Sequence, residues 1–138
     1  MIKTYYLAYG INLNDWEIGP LCKDARPVGD SFIEDYKLTF RDGLANIEPS
    51  EGSRVPVGVW AVSRADLQKL DARCHEYDRT SMKFEKDGFV VSGLVYVLKD
   101  GHKLQKPDDN YISRIREGYR VFDLDMSYLD DALDAMNE

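Results

Sequence analysis

With 138 residues, 43% of them hydrophobic and 12% aromatic, the chain is long enough to bury one core and too apolar to be disordered throughout. A formal charge of −7, with Lys and Arg scattered among more numerous acids, argues against a nucleic-acid backbone or an anionic membrane as partner. A small anionic ligand remains compatible, held by backbone N–H groups and a local cation.

No apolar run approaches the ~18 residues that cross a bilayer. The opening Met1-Ile2-Lys3-Thr4-Tyr5-Tyr6 enters a strand-like stretch rather than a leader, so a cytoplasmic location is expected, with Cys22 and Cys74 reduced.

Thr4 to Tyr9, β-branched, aromatic and apolar, predicts a buried first strand closed by Gly10. Asn12 or Asn14 is placed to cap a short helix through Trp16 and Ile18, which Gly19-Pro20 ends. Phe32 to Phe40 alternates closely enough for a strand with one wet face, and Asp42-Gly43 marks a turn. Leu44 to Ile47 then predicts a short strand, with Pro49 to Ser53 a loop by composition.

Val55 to Val62 carries the strongest strand pattern, with Pro56 expected at an edge or at the strand's start. Ser63-Arg64-Ala65-Asp66 matches a capping box and opens a helix through Leu67 and Leu70. Thr80 to Lys99 predicts a hairpin turning at Lys86-Asp87-Gly88. Pro107-Asp108-Asp109 opens a helix that carries Tyr111, Ile112, Ile115 and Tyr119 on one face. Ser127 to Met136 forms a last amphipathic helix, with Leu129, Leu133 and Met136 inward. Neither a repeat nor a long linker divides the chain, so residues 1–138 are expected to form one domain.

The order of these elements, with the landmarks Tyr6-Leu7-Ala8-Tyr9-Gly10-Ile11-Asn12-Leu13, Ala25-Arg26-Pro27-Val28-Gly29, Tyr36 to Phe40, Val57-Gly58-Val59-Trp60, Leu67 to Asp71 and Tyr111 to Tyr119, resembles the γ-glutamylcyclotransferase-like family. The first landmark looks like that family's Tyr-Gly-Ser-Asn-Leu signature. The resemblance implies an α+β fold, a small mixed β-barrel with flanking helices, and a pocket at the signature loop. It also implies a reaction that needs no cofactor: a γ-glutamyl amine closes to 5-oxoproline as its own α-amine attacks its γ-carbonyl and the amine departs. Such built-in proximity is worth ~10⁵ M or more in effective molarity. The protein must add donors for carboxylate and oxyanion, and one carboxylate that moves the proton.

Tyr9, Gly10, Ile11, Asn12 and Leu13 are accordingly the expected binding loop for a small-molecule ligand. Gly10 there permits positive φ and close approach, Asn12 is available as a cap, and the N–H groups of Ile11 to Leu13 form a carboxylate cradle. Tyr111 is expected on the pocket wall. Residues from the Leu70–Tyr77 segment are expected to complete it, making this the largest polar pocket.

Two departures bear on catalysis: Ile11 stands where the signature has serine, and the ungapped match sets Cys74 at the family's acid and His75 at its glycine. A thiol of pKa ~8.5 is mostly protonated at neutral pH. Glu76, two residues on, is the other candidate for the acid if the shortened loop shifts the register. Both an active enzyme and a catalytically silent binder remain open. A Cys74–His75 nucleophilic pair is disfavoured because adjacent side chains point apart. His102, after Asp100-Gly101, fits a turn. Asp123, Asp125, Asp130, Asp131 and Asp134 lack the spacing of a calcium loop and fit a solvated helix face, so no metal is expected.

Overall fold

In the computed structural model, which describes residues 4–137, two Asp-Gly turns set the hairpins. Asp42 and Gly43 have φ of 50° and 76°, Asp87 and Gly88 53° and 82°. Positive φ at both central residues matches the right-handed twist of the flanking strands. The first turn joins β2 (Arg26–Arg41) to β3 (Leu44–Val62), and the second joins β4 (Tyr77–Lys86) to β5 (Phe89–Leu98). With β1 (Thr4–Ala8) they form one sheet in the order β2-β3-β1-β5-β4. The β1–β5 pairing, Tyr6 beside Leu94, is parallel and the others are antiparallel, so the sheet is mixed.

The sheet is an open one, and "barrel" describes it only loosely. β2 and β4 are its two edges, and Ser31 Oγ donates to the Glu85 carbonyl between them at 2.7 Å. The α+β class expected from the sequence stands, with α1 (Asp15–Ile18), α2 (Arg64–Arg73), α3 (Asp109–Val121) and α4 (Ser127–Ala135) flanking the sheet.

Two strand expectations need correction. Residues 49–53 are not a loop: β3 runs unbroken from Leu44 to Val62, with Pro49 opposite Tyr36 in the β2 ladder. The turn-forming composition is absorbed as a bulge in β3, where Ser50 to Ser53 stand opposite Asp35 alone, whose φ is 64° and whose carboxylate accepts from the Gly52 N–H at 3.0 Å. Fourteen residues of β3 pair with β2 on the two sides of this interruption, a non-local gain that local turn preference does not outweigh. β2 likewise begins at Arg26 rather than Phe32. Pro56 fits its expected edge-like position, because β1 pairs with β3 from Gly58 onward and leaves Pro56 paired to β2 alone.

The capping box at Ser63 is present in both halves. Ser63 Oγ accepts from the Asp66 N–H at 3.1 Å, and Asp66 Oδ2 accepts from the Ser63 N–H at 3.1 Å. Both residues are buried, which makes these bonds harder to replace with water. α3 starts at an Asp108 cap, whose Oδ1 accepts from the Tyr111 N–H at 2.8 Å, and it buries Ile115 and Tyr119. Of the acidic residues near the C-terminus, Asp125 accepts from the Ser127 N–H and Asp130 pairs with Arg116.

The site depends on how α3 meets the chain after β1. There a single 3₁₀ turn, Ile11–Leu13, lies against α3 at Gly118. A Cβ on Gly118 would stand 2.4 Å from Leu13 Cβ and 3.2 Å from the Leu13 carbonyl carbon, so the turn's own backbone would have to move. Gly118→Ala is therefore expected to destabilise by about 1–3 kcal/mol through overpacking, read as a lower urea midpoint at unchanged slope. Ser63→Ala is expected to cost about 1 kcal/mol in the same measurement.

Candidate functional site

β1 delivers Tyr6, Leu7 and Ala8 to the core, and the chain leaves the strand at Tyr9, one residue earlier than the sequence pattern suggests. The 3₁₀ turn that follows uses two backbone bonds: Leu13 N–H to the Gly10 carbonyl at 3.1 Å and Asn14 N–H to the Ile11 carbonyl at 3.0 Å. The N–H groups of Ile11 and Asn12 make no bond to a protein acceptor among the described residues. Two donors are thereby left over at the start of the turn.

Asn12 does not cap a helix. Its buried side chain donates from Nδ2 to the Tyr6 hydroxyl at 2.9 Å and accepts at Oδ1 from Arg73, while its carbonyl accepts from Trp60 Nε1 at 2.9 Å. The residue at the α1 cap position is Asn14, whose Nδ2 donates instead to the Arg114 carbonyl on α3. Gly10 has φ −125°, so it is not at a positive φ as expected. Its glycine character answers to space, since a Cβ there would sit 3.2 Å from Ala45 Cβ. Leu13 is also corrected: it is fully buried in the core and its N–H is used within the turn, so it does not face a ligand.

Above this turn is a cavity of about 300 Å³. Tyr9, Gly10, Ile11 and Asn12 form one side of it, and Arg73, Cys74, Glu76 and Tyr77 another. Tyr111 and Arg114 enter from α3, Tyr96 from β5, Tyr6 from β1 and Glu17 from α1. The cavity is not the most voluminous on the molecule, because a groove along the β2–β4 seam measures about 620 Å³.

The tyrosines are held by specific bonds. Tyr9 donates to the Tyr96 carbonyl at 2.6 Å and Tyr77 to the Ala45 carbonyl at 2.8 Å. Tyr96 donates to Asp71 Oδ1 at 2.6 Å, and Tyr111 accepts from the Ala45 N–H at 3.0 Å. Burial pushes the hydroxyls of Tyr6, Tyr9, Tyr77, Tyr96 and Tyr111 upward, so all five are neutral at physiological pH. The Tyr6 hydroxyl accepts from Asn12 Nδ2, which leaves its own proton available.

Cys74 terminates α2, its N–H bonded to the Leu70 carbonyl at 2.8 Å. Burial raises its thiol above the ordinary value, which favours the protonated form. Cys22 is not its partner. Both cysteines are free, and Cys22 is buried with its Sγ 3.6 Å from the Asp66 carbonyl, its thiol pushed up to about 11 by burial.

Two carboxylates line the cavity, and their situations differ. Glu17 is nearly buried and accepts from Arg114 Nε at 2.5 Å. Glu76 is half-exposed, with its Oε2 3.4 Å from His102 Nε2. The terminal nitrogens of Arg114 have no protein acceptor among the described residues, whereas Arg73 is used on the Glu17 carbonyl and on Asn12.

Sequence reasoning missed Glu17 and Arg114. Arg114 was reachable, since it lies three residues beyond Tyr111 on one helix face. Its partner Glu17 is 97 positions away and no local pattern announces it.

Comparison with known proteins agrees with this architecture. A solved structure named gamma-glutamyl cyclotransferase superposes with a TM-score of 0.87 at 22% identity, covering 95% of this chain and 86% of that one. The uncharacterized protein loc79017 from Homo sapiens gives 0.85 at 22% identity, over 94% and 86%. YkqA from Bacillus subtilis gives 0.81 at 19% identity, where this chain is covered entirely and spans 55% of that protein. These likenesses establish the fold. Among curated proteins no sequence match was found. The family model described as "Gamma-glutamyl cyclotransferase, AIG2-like" matches residues 6–128, nearly the whole length, and the chain belongs to that family.

Proposed function

We propose that the chain acts as a single-domain, cytoplasmic protein that takes a small γ-glutamyl amine, or a similar carboxylate-bearing metabolite, into the tyrosine-lined cavity. One observation carries this reading. The unbonded N–H groups of Ile11 and Asn12 belong to residues lining the same cavity as the free end of the Arg114 guanidinium. Backbone donors and a guanidinium fork are the groups that recognise a carboxylate, and among the described residues neither these N–H groups nor the terminal nitrogens of Arg114 have a protein acceptor. The neutral tyrosines around them supply apolar walls with a few polar tips.

In turnover, the ligand's α-amine attacks its γ-carbonyl carbon. A C–N bond forms, the amide C–N bond breaks, and a proton passes from the attacking amine to the leaving one, giving 5-oxoproline and free amine. Cys74 is ill suited to carry that proton, because burial keeps the thiol protonated. Glu17 is occupied by Arg114. Glu76 is then the cavity carboxylate best able to serve, half-exposed on the loop that follows α2. Without the signature serine, and with the acid displaced by two residues, release of 5-oxoproline should be slow.

A second reading, ligand binding without turnover, is favoured by the same two substitutions, Ile11 and Cys74. A 5-oxoproline assay with γ-glutamyl ethylamide, run beside calorimetry, separates the two. Slow release that Glu76→Gln reduces by a factor on the order of 10² or more, with binding retained, supports the enzyme. Binding without release, and a gain of release in Cys74→Glu with Ile11→Ser, supports the silent binder. Neither binding nor release in any variant refutes both.

Arg114→Ala is expected to weaken calorimetric affinity for the same compound by about tenfold, the ~1.4 kcal/mol expected of one charge-assisted contact. Unchanged affinity would remove Arg114 from the ligand site.

A further inference from the structure

The loop after β5 brings His102 to the outer side of Glu76. Three backbone bonds fasten this loop to the end of the β2–β3 hairpin: Asp42 N–H to Lys103 O at 2.8 Å, Gly43 N–H to Gln105 O at 3.3 Å, and Gln105 N–H to Phe40 O at 3.1 Å. Arg41 adds a bond from Nη1 to the His102 carbonyl at 3.0 Å, and is itself held by Glu48 at 2.6 Å. The His102 ring is fixed in turn, with Nδ1 2.7 Å from Asp42 Oδ2 and its side chain 16% exposed. Asp42 answers to the contact, its carboxyl held below the usual range chiefly by the bond to His102.

His102 Nε2 lies 3.4 Å from Glu76 Oε2, while Glu76 lines the tyrosine-rich cavity and its carbonyl accepts from the Lys99 N–H at 3.1 Å. His75 approaches the other Glu76 oxygen at 3.8 Å but is 75% exposed. The remaining charges of this region are the paired Arg41 and Glu48, with Lys99, Asp100 and Lys103 along the loop.

We propose that His102 is the positioning residue for Glu76: its ring, fixed by Asp42, holds the Glu76 carboxylate at the rim of the cavity for proton transfer. The Asp42 carboxylate accepts from Nδ1, which fixes the ring and leaves Nε2 beside the Glu76 carboxylate. A carboxylate on an exposed turn would otherwise sample many rotamers, and misplacement by about 1 Å costs on the order of 10²-fold in rate. The inference rests on Glu76 as the proton carrier.

The test uses His102→Asn, which keeps a donor for Asp42 but loses the reach to Glu76, and His102→Gln, which restores some of that reach. With γ-glutamyl ethylamide, His102→Asn should lower kcat by roughly 10- to 100-fold at unchanged KM, with partial rescue in His102→Gln. It should have no further effect in a Glu76→Gln background. The δ-carboxyl ¹³C resonance of Glu76, which requires no turnover, should move in His102→Asn and Asp42→Asn and stay fixed in His75→Asn. An unmoved resonance in both His102→Asn and Asp42→Asn overturns the inference, as does an unchanged kcat in an active chain. A wild-type chain without turnover whose Glu76 resonance still follows His102 defeats the enzyme reading and leaves the positioning contact supported.

Discussion

The pocket rests on one buried polar residue, Asn12. Its side chain and carbonyl join β1 through Tyr6, α2 through Arg73 and β3 through Trp60, all within the turn that follows the first strand. A buried amide is tolerated only when its donors and acceptors are met, and a network met on every side fixes a single geometry. The Asn12 backbone N–H stands at the start of the 3₁₀ turn, where no acceptor within the turn meets it. Gly118 completes the constraint from below, letting α3 approach so closely that the turn has no room to settle deeper.

In the proposed reading, a rigid turn with spare donors lets this family member lose conventional side chains and keep a site. The serine and acid of the family pattern are side-chain features, whereas the proposed cradle is made by main chain held from behind. Replacing serine by Ile11 removes a hydroxyl but leaves the backbone N–H groups in place. Replacing the acid by Cys74 exchanges a carboxylate for a thiol that burial keeps neutral. Electrostatics in the cavity then depends on Arg73, Arg114, Glu17 and Glu76, none of which belongs to the signature loop.

What the sequence disclosed follows from the range of each interaction. The Ser63–Asp66 capping box, the Asp42-Gly43 and Asp87-Gly88 turns and the Asp108 cap are decided within a few residues, and each was legible. The continuous β3 was not, because pairing with β2 on both sides of residues 50–53 carries the strand through the turn-forming Pro49-Ser50-Glu51-Gly52. At the site, the loop after β1 was legible as a motif, while its details differed: Leu13 turned inward, Gly10 adopted an ordinary φ, and Asn12 faced the core rather than a helix end. The pairs Glu17–Arg114 and Asp42–His102 join residues 97 and 60 positions apart and became visible only with the fold.

His102 shows how far a local reading can mislead about a residue's role. Beside Asp100-Gly101 it has the composition of a turn, and it does lie in one. The same loop is a strap over the β2–β3 hairpin, bonded along its length, so the ring at its apex is positioned by tertiary structure rather than left to solvent. Asp42 serves twice, adopting the positive φ that closes its hairpin and accepting from the imidazole that its hairpin brings near. In the proposed reading, Glu76 stands two residues from the usual acid position and needs a support if it is to act from a fixed place, because no comparable strap holds its own side chain. The strap that carries His102 lies 3.4 Å away and comes from an element that the signature motifs do not include.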